Sequence, residues 1–339
     1  GCTSAGDANG CSNQIVLKAG TNELKVSTAG SLTLNGSAVG GGSSLFAACN
    51  TNNIVSTGAG IQTGTGGTGT HNFFSGLNAG KYNTSGSNNF FVGQDAGCAN
   101  QSGDNNTYIG RYVGRYSNGG TCNIAIGYGA GRRVTGNNNT ILGGAAGATN
   151  TTGSYNTFIG RCTGGSVTTG SCNFYVGRYS GMLATGSNNI LLGNSTGYQA
   201  NPGLANITTE SNRIILGNTS HTCAQIQVAW TAVSDARDKC IYGAVNKGLG
   251  FLKDVNPIEF AFKDRATNEL IGDGKKRYGF SAQEILSLEG DKPVIVSNET
   301  PDKLFLTNDY LVPVLVNAIK ELNAKVETLE SKVKDLENK

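Results

Sequence analysis

Long apolar runs, charge and aromatic rings are all scarce in this chain. No apolar stretch approaches the roughly 18–20 residues of a membrane-spanning helix, so insertion by a helical span is excluded. Charged side chains make up 14% and aromatics 7% of the 339 residues, with one Met, one Trp and five Pro. Such a chain lacks the material for one conventional core. Histidine occurs only at His71 and His221, and none of the nine cysteines forms a C-x-x-C pair. Zinc-site spacing is therefore absent, and no metal or other cofactor is expected. An odd cysteine count without such spacing reads as free thiols, small apolar side chains of a protein assembled in a reducing cytoplasm. The net charge of +3 is too weak for a nucleic-acid footprint.

What the sequence has in abundance is glycine, and it is unevenly placed. Residues 1–233 hold 44 of the 51 Gly but only 10 Lys/Arg and 5 Asp/Glu. Residues 234–339 hold 16 Lys/Arg, 18 Asp/Glu and four of the five Pro. Two kinds of protein meet near position 233.

The first is an internal repeat. Asn72-Phe-Phe-Ser-Gly76, Asn89-Phe-Phe-Val-Gly93, Asn106-Thr-Tyr-Ile-Gly110 and Asn123-Ile-Ala-Ile-Gly127 share one pattern, which continues to Asn189–Gly193. The closing Gly recur every 16 or 17 residues, a second Gly follows four later, and a third usually precedes the Asn by three. Each unit predicts a short strand at the two apolar residues before the first Gly, as in Tyr108-Ile109 and Tyr175-Val176. Adjacent strand residues face opposite ways, so an apolar pair implies burial on both sides. The Gly supply positive-φ turns or close backbone approach; the Asn bonds to its own neighbouring backbone or takes the left-handed region itself. Units this short must stack as a solenoid. With about two large apolar residues per unit, one chain is expected to lack a core, and three copies round a common axis would supply it. Residues 13–39 read as short strands outside the repeat, Asn212–Gly217 as a degenerate last copy, and Ala224–Trp230 as an alternating strand. The G-x-G-x-x-G match at Gly64–Gly69 has neither a strand before it nor a helix after it, so dinucleotide binding is not expected.

At the composition break stands Val233-Ser-Asp-Ala-Arg-Asp-Lys239. Downstream come Asn256-Pro-Ile-Glu-Phe260, Tyr278-Gly-Phe-Ser-Ala-Gln-Glu284 and a terminal helical pattern. This series, covering residues 234–339, resembles the intramolecular chaperone auto-processing domain at the C-terminus of phage endosialidases, tailspikes and tail fibres. The resemblance implies a self-cleaving serine peptidase with a Ser234–Lys239 dyad and a scissile Val233–Ser234 bond. It also implies site-shaping roles for Asp235 and Arg237, and a structural role for Gln283 and Glu284.

The residues alone make that chemistry intelligible. A serine hydroxyl needs a base to take its proton, and residues 234–339 contain no His. Lysine serves if desolvation or nearby positive charge, such as Arg237, lowers its pKa. Positions five apart do not share a face of a strand or helix, so Ser234 and Lys239 meet only through a turn or between chains.

In the terminal segment, Ile319, Leu322, Val326, Leu329, Val333 and Leu336 alternate at spacings of three and four. This is a coiled-coil seam with β-branched residues at a and Leu at d. That core alone leans towards dimers, whereas the resemblance and the threefold logic of the repeat point to trimers.

The expected fold is mainly β. A joining segment (1–68) leads into a trimeric β-solenoid fibre shaft of ~17-residue repeats (69–217) and a strand linker (218–233). An α+β chaperone domain (234–339) follows, ending in a trimeric coiled coil over about 314–339. The expected function is a homotrimeric viral or phage fibre whose last domain templates assembly and then excises itself. It would be assembled in the host cytoplasm and carried on the virion. Its partners would be itself, other tail or fibre proteins and a host surface receptor, a glycan among the candidates, with no nucleic acid. The alternative is a structural adhesin that keeps its trimerisation domain. A glycan-degrading shaft is disfavoured, because Asp7, Glu23, Asp95, Asp104 and Glu210 form no local acid pair.

Overall fold

The computed structural model describes strands within 15–19, 22–26, 32–34, 37–38 and 54–55, then residues 68–198, 207–227, 229–265, 267–300 and 303–338. The chain falls into two units, 1–218 and 219–339. The segment 218–233 thus belongs, all but its first residue, with the second unit. Most of the Gly64–Gly69 tract lies outside the described residues.

In the first unit, β1 (Ile15–Ala19), β2 (Asn22–Val26), β3 (Leu32–Leu34) and β4 (Ser37–Ala38) form an antiparallel meander. A second sheet is parallel throughout. It starts at β5 (Ile54–Val55), which pairs with β6 (Phe73–Ser75). It then takes one three-residue strand per repeat: β7 (Phe90–Val92), β8 (Thr107–Ile109), β9 (Ile124–Ile126), β10 (Thr140–Leu142), β11 (Thr157–Ile159), β12 (Phe174–Val176), β13 (Ile190–Leu192) and β14 (Ile214–Leu216). The result is a β-solenoid, one strand per rung. β5 precedes the repeat detected in the sequence, and β14 is the degenerate copy.

Only the middle residue of each strand points inward. Phe74, Phe91, Tyr108, Ala125, Ile141, Phe158, Tyr175 and Leu191 align in one column, all with zero exposure. Rings stack where they are adjacent, Phe91 on Tyr108 at 4.9 Å between centroids and 9° between planes. Ala79, Ala96, Val113, Ala130, Val134 and Ala146 fill the space opposite. One expectation therefore fails: a single chain does have a core. Within that chain the apolar pairs are buried on one face, their second members (Val92, Ile109, Leu142) facing outward and partly exposed. A column of one large residue per rung, closed by small ones, suffices because each rung covers the next.

The repeat asparagines also behave differently from expectation. Asn72, Asn89, Asn106, Asn123, Asn139, Asn156, Asn173 and Asn189 are buried to 1% exposure or less. Each bonds up the stack rather than to its own neighbours. Asn106 Oδ1 accepts from the Asn123 amide at 3.0 Å, and Asn106 Nδ2 donates to the Gly120 carbonyl at 2.7 Å. The left-handed conformation falls on the preceding residue, as at Asn105 (φ 59°) and Cys122 (φ 58°). Glycine serves both purposes foreseen for it: Gly110 has φ +129°, and a Cβ there would lie 2.6 Å from the Gly127 carbonyl oxygen.

Ala224–Trp230 forms no strand among its described residues; it is irregular and exposed. Among the described residues no strand pairs with it, so the alternation finds no neighbour for its backbone groups there. Of the described thiols, Cys122, Cys172, Cys223 and Cys240 are exposed and Cys98 and Cys162 half-buried; all six are free, as the sequence reading has it.

In the second unit, α1 (Leu249–Lys253) is followed by β15 (Pro257–Phe260), which pairs antiparallel with β16 (Arg277–Phe280). Next come α2 (Ala282–Glu289), the hairpin β17 (Val296–Thr300) and β18 (Lys303–Leu306), and the long helix α3 (Leu311–Glu337). Ile285, Ile295, Val296, Leu311 and Val314 form a small core. Glu289 anchors it, its carboxylate accepting from the amides of Val294, Ile295 and Val296 at 2.9–3.0 Å.

Candidate functional site

Asp235 caps a single 3-10 turn, Ala236–Asp238, by accepting from the Arg237 amide at 2.9 Å. That turn folds the chain back so that Lys239 reaches Ser234. Lys239 Nζ lies 2.5 Å from Ser234 Oγ and 3.3 Å from the Ser234 carbonyl oxygen. Of the two routes open at the level of sequence, a turn within one chain brings the pair together.

The electrostatics of the turn are local. The Arg237 guanidinium and backbone amide hold the Asp235 carboxyl below the usual carboxylate range, and Asp235 in turn raises Arg237. Their ion pair, 2.6 Å, leaves Arg237 committed to Asp235 rather than turned on Lys239. Ser234 and Lys239 are both exposed, and Val233 is 86% exposed. Desolvation, which would make the lysine a neutral base, is not supplied by the described residues of this chain. The geometry offers a hydroxyl within reach of an amine beside an accessible peptide bond. It lacks a cover.

Gln283 and Glu284 lie on α2, and among the described residues no hydrogen bond links either to this turn. Ser281 caps the helix by accepting from the Glu284 amide at 3.4 Å, and the Glu284 carboxylate accepts from Asn256 Nδ2. Two of the sequence blocks that carry the resemblance, Asn256–Phe260 and Tyr278–Glu284, are thus tied twice, by this bond and by the β15–β16 pairing. Gln283 Oε1 lies 3.5 Å from Ser281 Oγ.

Helix α3 is divided. Leu311, Val314 and Ala318 are buried on their own unit, and Glu321 Oε2 accepts from the Leu249 amide at 2.8 Å. Beyond residue 318 the seam stands open: Ile319, Leu322, Val326, Leu329, Val333 and Leu336 are 43–69% exposed.

Sequence reasoning passed over Glu289 and the helix-bracing pair Asn317 and Glu321. Glu289 follows Ile285 by one helical turn on the same inward face, and an acid at such a position is the signal that could have exposed it. The chain matches no protein-family model, no curated protein and no solved structure.

Proposed function

We propose that this chain is a homotrimeric viral or phage fibre or tailspike protein whose second unit drives trimer assembly and releases itself by cutting Val233–Ser234. The observation that carries the reading is a pair of surfaces left bare by a single chain. One is the open seam of α3. The other is the outer face of the solenoid sheet, two columns running from β6 to β14. Among their positions only Ser75, Thr107, Thr140 and Thr157 are polar and none is charged. Phe90, Ile124, Phe174 and Ile190 are each about 40% exposed there. A contiguous apolar face of this length marks a contact surface. Its rung period matches a second copy of itself better than an unrelated partner, and the seam asks for the same partner.

In the cleavage step, Ser234 Oγ attacks the Val233 carbonyl carbon while the neutral Lys239 amine takes the hydroxyl proton. The C–N bond breaks, the proton passes to the Ser234 nitrogen, and Val233 is left as an ester on Ser234. Water then hydrolyses the ester, leaving a Val233 carboxylate and a free Ser234 amine. Because the pair is uncovered in one chain, neighbouring chains in the trimer would supply the desolvation that makes Lys239 a base. Cleavage then reports correct assembly, and loss of the template leaves the shaft kinetically trapped.

The exposure of Ser234 and Lys239 also favours a second reading, in which the site is never completed and the unit stays on as part of an adhesin. One experiment separates them. Purified chain is sized by light scattering and run on a denaturing gel, where the uncut product is 34.9 kDa. The first reading expects trimers and two pieces divided at residue 233, with Ser234→Ala and Lys239→Ala trimeric and uncut. Monomers throughout would refute both readings; an uncut trimer supports the second. Leu322→Asp with Leu329→Asp should lose trimer and cleavage together.

A further inference from the structure

Between Asp104 and Glu210 the sequence contains six Arg and no Lys, Asp or Glu. All six fall in the same part of the rung, the turn that follows each strand. Arg111 and Arg115 occupy the rung of β8, Arg132 and Arg133 the next, and Arg161 and Arg178 the rungs of β11 and β12. With neighbouring strands roughly 4.8 Å apart, they line one side of the solenoid over roughly 19 Å of its length. Among the described residues no carboxylate pairs with any of them.

The arginines are held in place by tyrosines. The Arg111 and Arg115 guanidinium groups lie over the Tyr112 ring, 4.4 and 4.9 Å from its centroid. Those of Arg115 and Arg132 lie over Tyr116, at 5.2 and 5.1 Å. Tyr128 meets Tyr112 edge-on at 5.8 Å. The arrangement recurs at Tyr179, under Arg178 and Arg161 at 4.4 and 5.8 Å. Arg111 also donates an N–H to the Tyr112 hydroxyl at 2.6 Å, and Arg161 and Arg178 donate to the Tyr179 hydroxyl at 2.9 and 3.3 Å. Guanidinium groups so held lose rotamer freedom, and their remaining N–H groups can form paired bonds to a carboxylate or sulfate.

From this we infer that the turn face of the solenoid is a binding surface for a linear acidic polysaccharide, laid along the stacking axis. Guanidinium groups already cover the tyrosine rings, so these rings offer little face for nucleobases to stack on. That favours a polymer read by its anionic groups over a single-stranded nucleic acid. The surface lies on the turns of the first unit, not on its apolar sheet face. It needs neither cleavage nor trimer formation.

The test uses the full chain and heparin, a sulfated polysaccharide, titrated calorimetrically at about 0.15 M salt. Single-stranded DNA of equal charge serves as competitor. Heparin should bind and weaken as salt rises. Changing Arg111, Arg115, Arg132 and Arg133 together to Gln should weaken it about tenfold or more. Lys253→Gln with Lys292→Gln in the second unit should leave it unchanged. All four arginines are at the surface, and Arg132→Gln with Arg133→Gln is the smaller variant if the fourfold one folds poorly. No heparin binding, undiminished binding by the variants, or DNA binding as tight as heparin would each overturn the inference. None of these results bears on trimer formation or cleavage.

Discussion

Replacing Asn123 by Ala tests whether the asparagine column holds the rungs together. Asn123 has zero exposure. Its Nδ2 donates to the Gly136 carbonyl at 2.9 Å, and its Oδ1 accepts from the Asn139 amide at 3.0 Å. Alanine removes both bonds and leaves a buried C=O and a buried N–H with no water to turn to. At about 1–3 kcal/mol for each orphaned group, the loss should be about 2–6 kcal/mol. Asn123→Asp should be worse at neutral pH, because a carboxylate oxygen then faces the Gly136 carbonyl with no proton between them. Acid should rescue it in part, since a protonated carboxyl restores the donor. Urea denaturation of the full chain followed by circular dichroism, at pH 7 and pH 5, reads both effects. If the Ala variant stays within about 0.5 kcal/mol of the parent, which is ordinary surface scatter, the column is decoration and the argument for it collapses. A tolerated aspartate at pH 7 would say the same.

Two further outcomes follow from the same core. The hydroxyls of Tyr108 and Tyr175 are buried without a hydrogen-bond partner, and burial pushes Tyr175 up to about 12 and raises Tyr108 as well. Below the unfolded value near 10 both states keep the proton and pH has no effect. Above it the unfolded chain loses protons that the folded chain retains, so stability falls as pH rises from 10 to 12. Tyr108→Phe with Tyr175→Phe should match or exceed the parent at pH 8 and flatten that alkaline decline; a loss above about 1 kcal/mol at pH 8 contradicts it. Gly110→Val should cost about 2 kcal/mol or more, from its positive φ and the Gly127 carbonyl in its way. Gly144→Ala, with nothing within 4 Å of its Cβ, should be silent; equal effects at the two sites on thermal melting would show that space is not the issue.

The rung was legible in the sequence because its chemistry repeats in register: strand, Gly, turn, Gly and Asn all recur where they were expected. The faces were not. An apolar pair such as Tyr108-Ile109 reads as two-sided burial, and nothing local says that Ile109 faces outward while Tyr108 is covered by its own neighbours above and below. The same blindness hid the core, since small residues such as Ala79 and Ala96 close the column only once the rungs are stacked. The Ser234–Lys239 approach was readable from spacing plus a capping aspartate. Arg237 was read as positive charge for Lys239 because Asp235, two residues away, was assigned only to shaping the site and not to claiming the guanidinium. Ala224–Trp230 alternates like a strand but pairs with no strand among the described residues, a fact that exists only in three dimensions.

The stacking of the rungs also sets how the solenoid answers a pull. Its between-rung hydrogen bonds run along the axis while the covalent chain winds around it, 17 residues for most steps. Tension on the two ends therefore strips rungs one after another instead of shearing them all at once. Each rung that lets go exchanges a rise of roughly 4.8 Å for about 56–61 Å of extended chain. A tether wound this way lengthens more than tenfold where it yields, dissipates work at every step, and leaves the untouched rungs intact beneath.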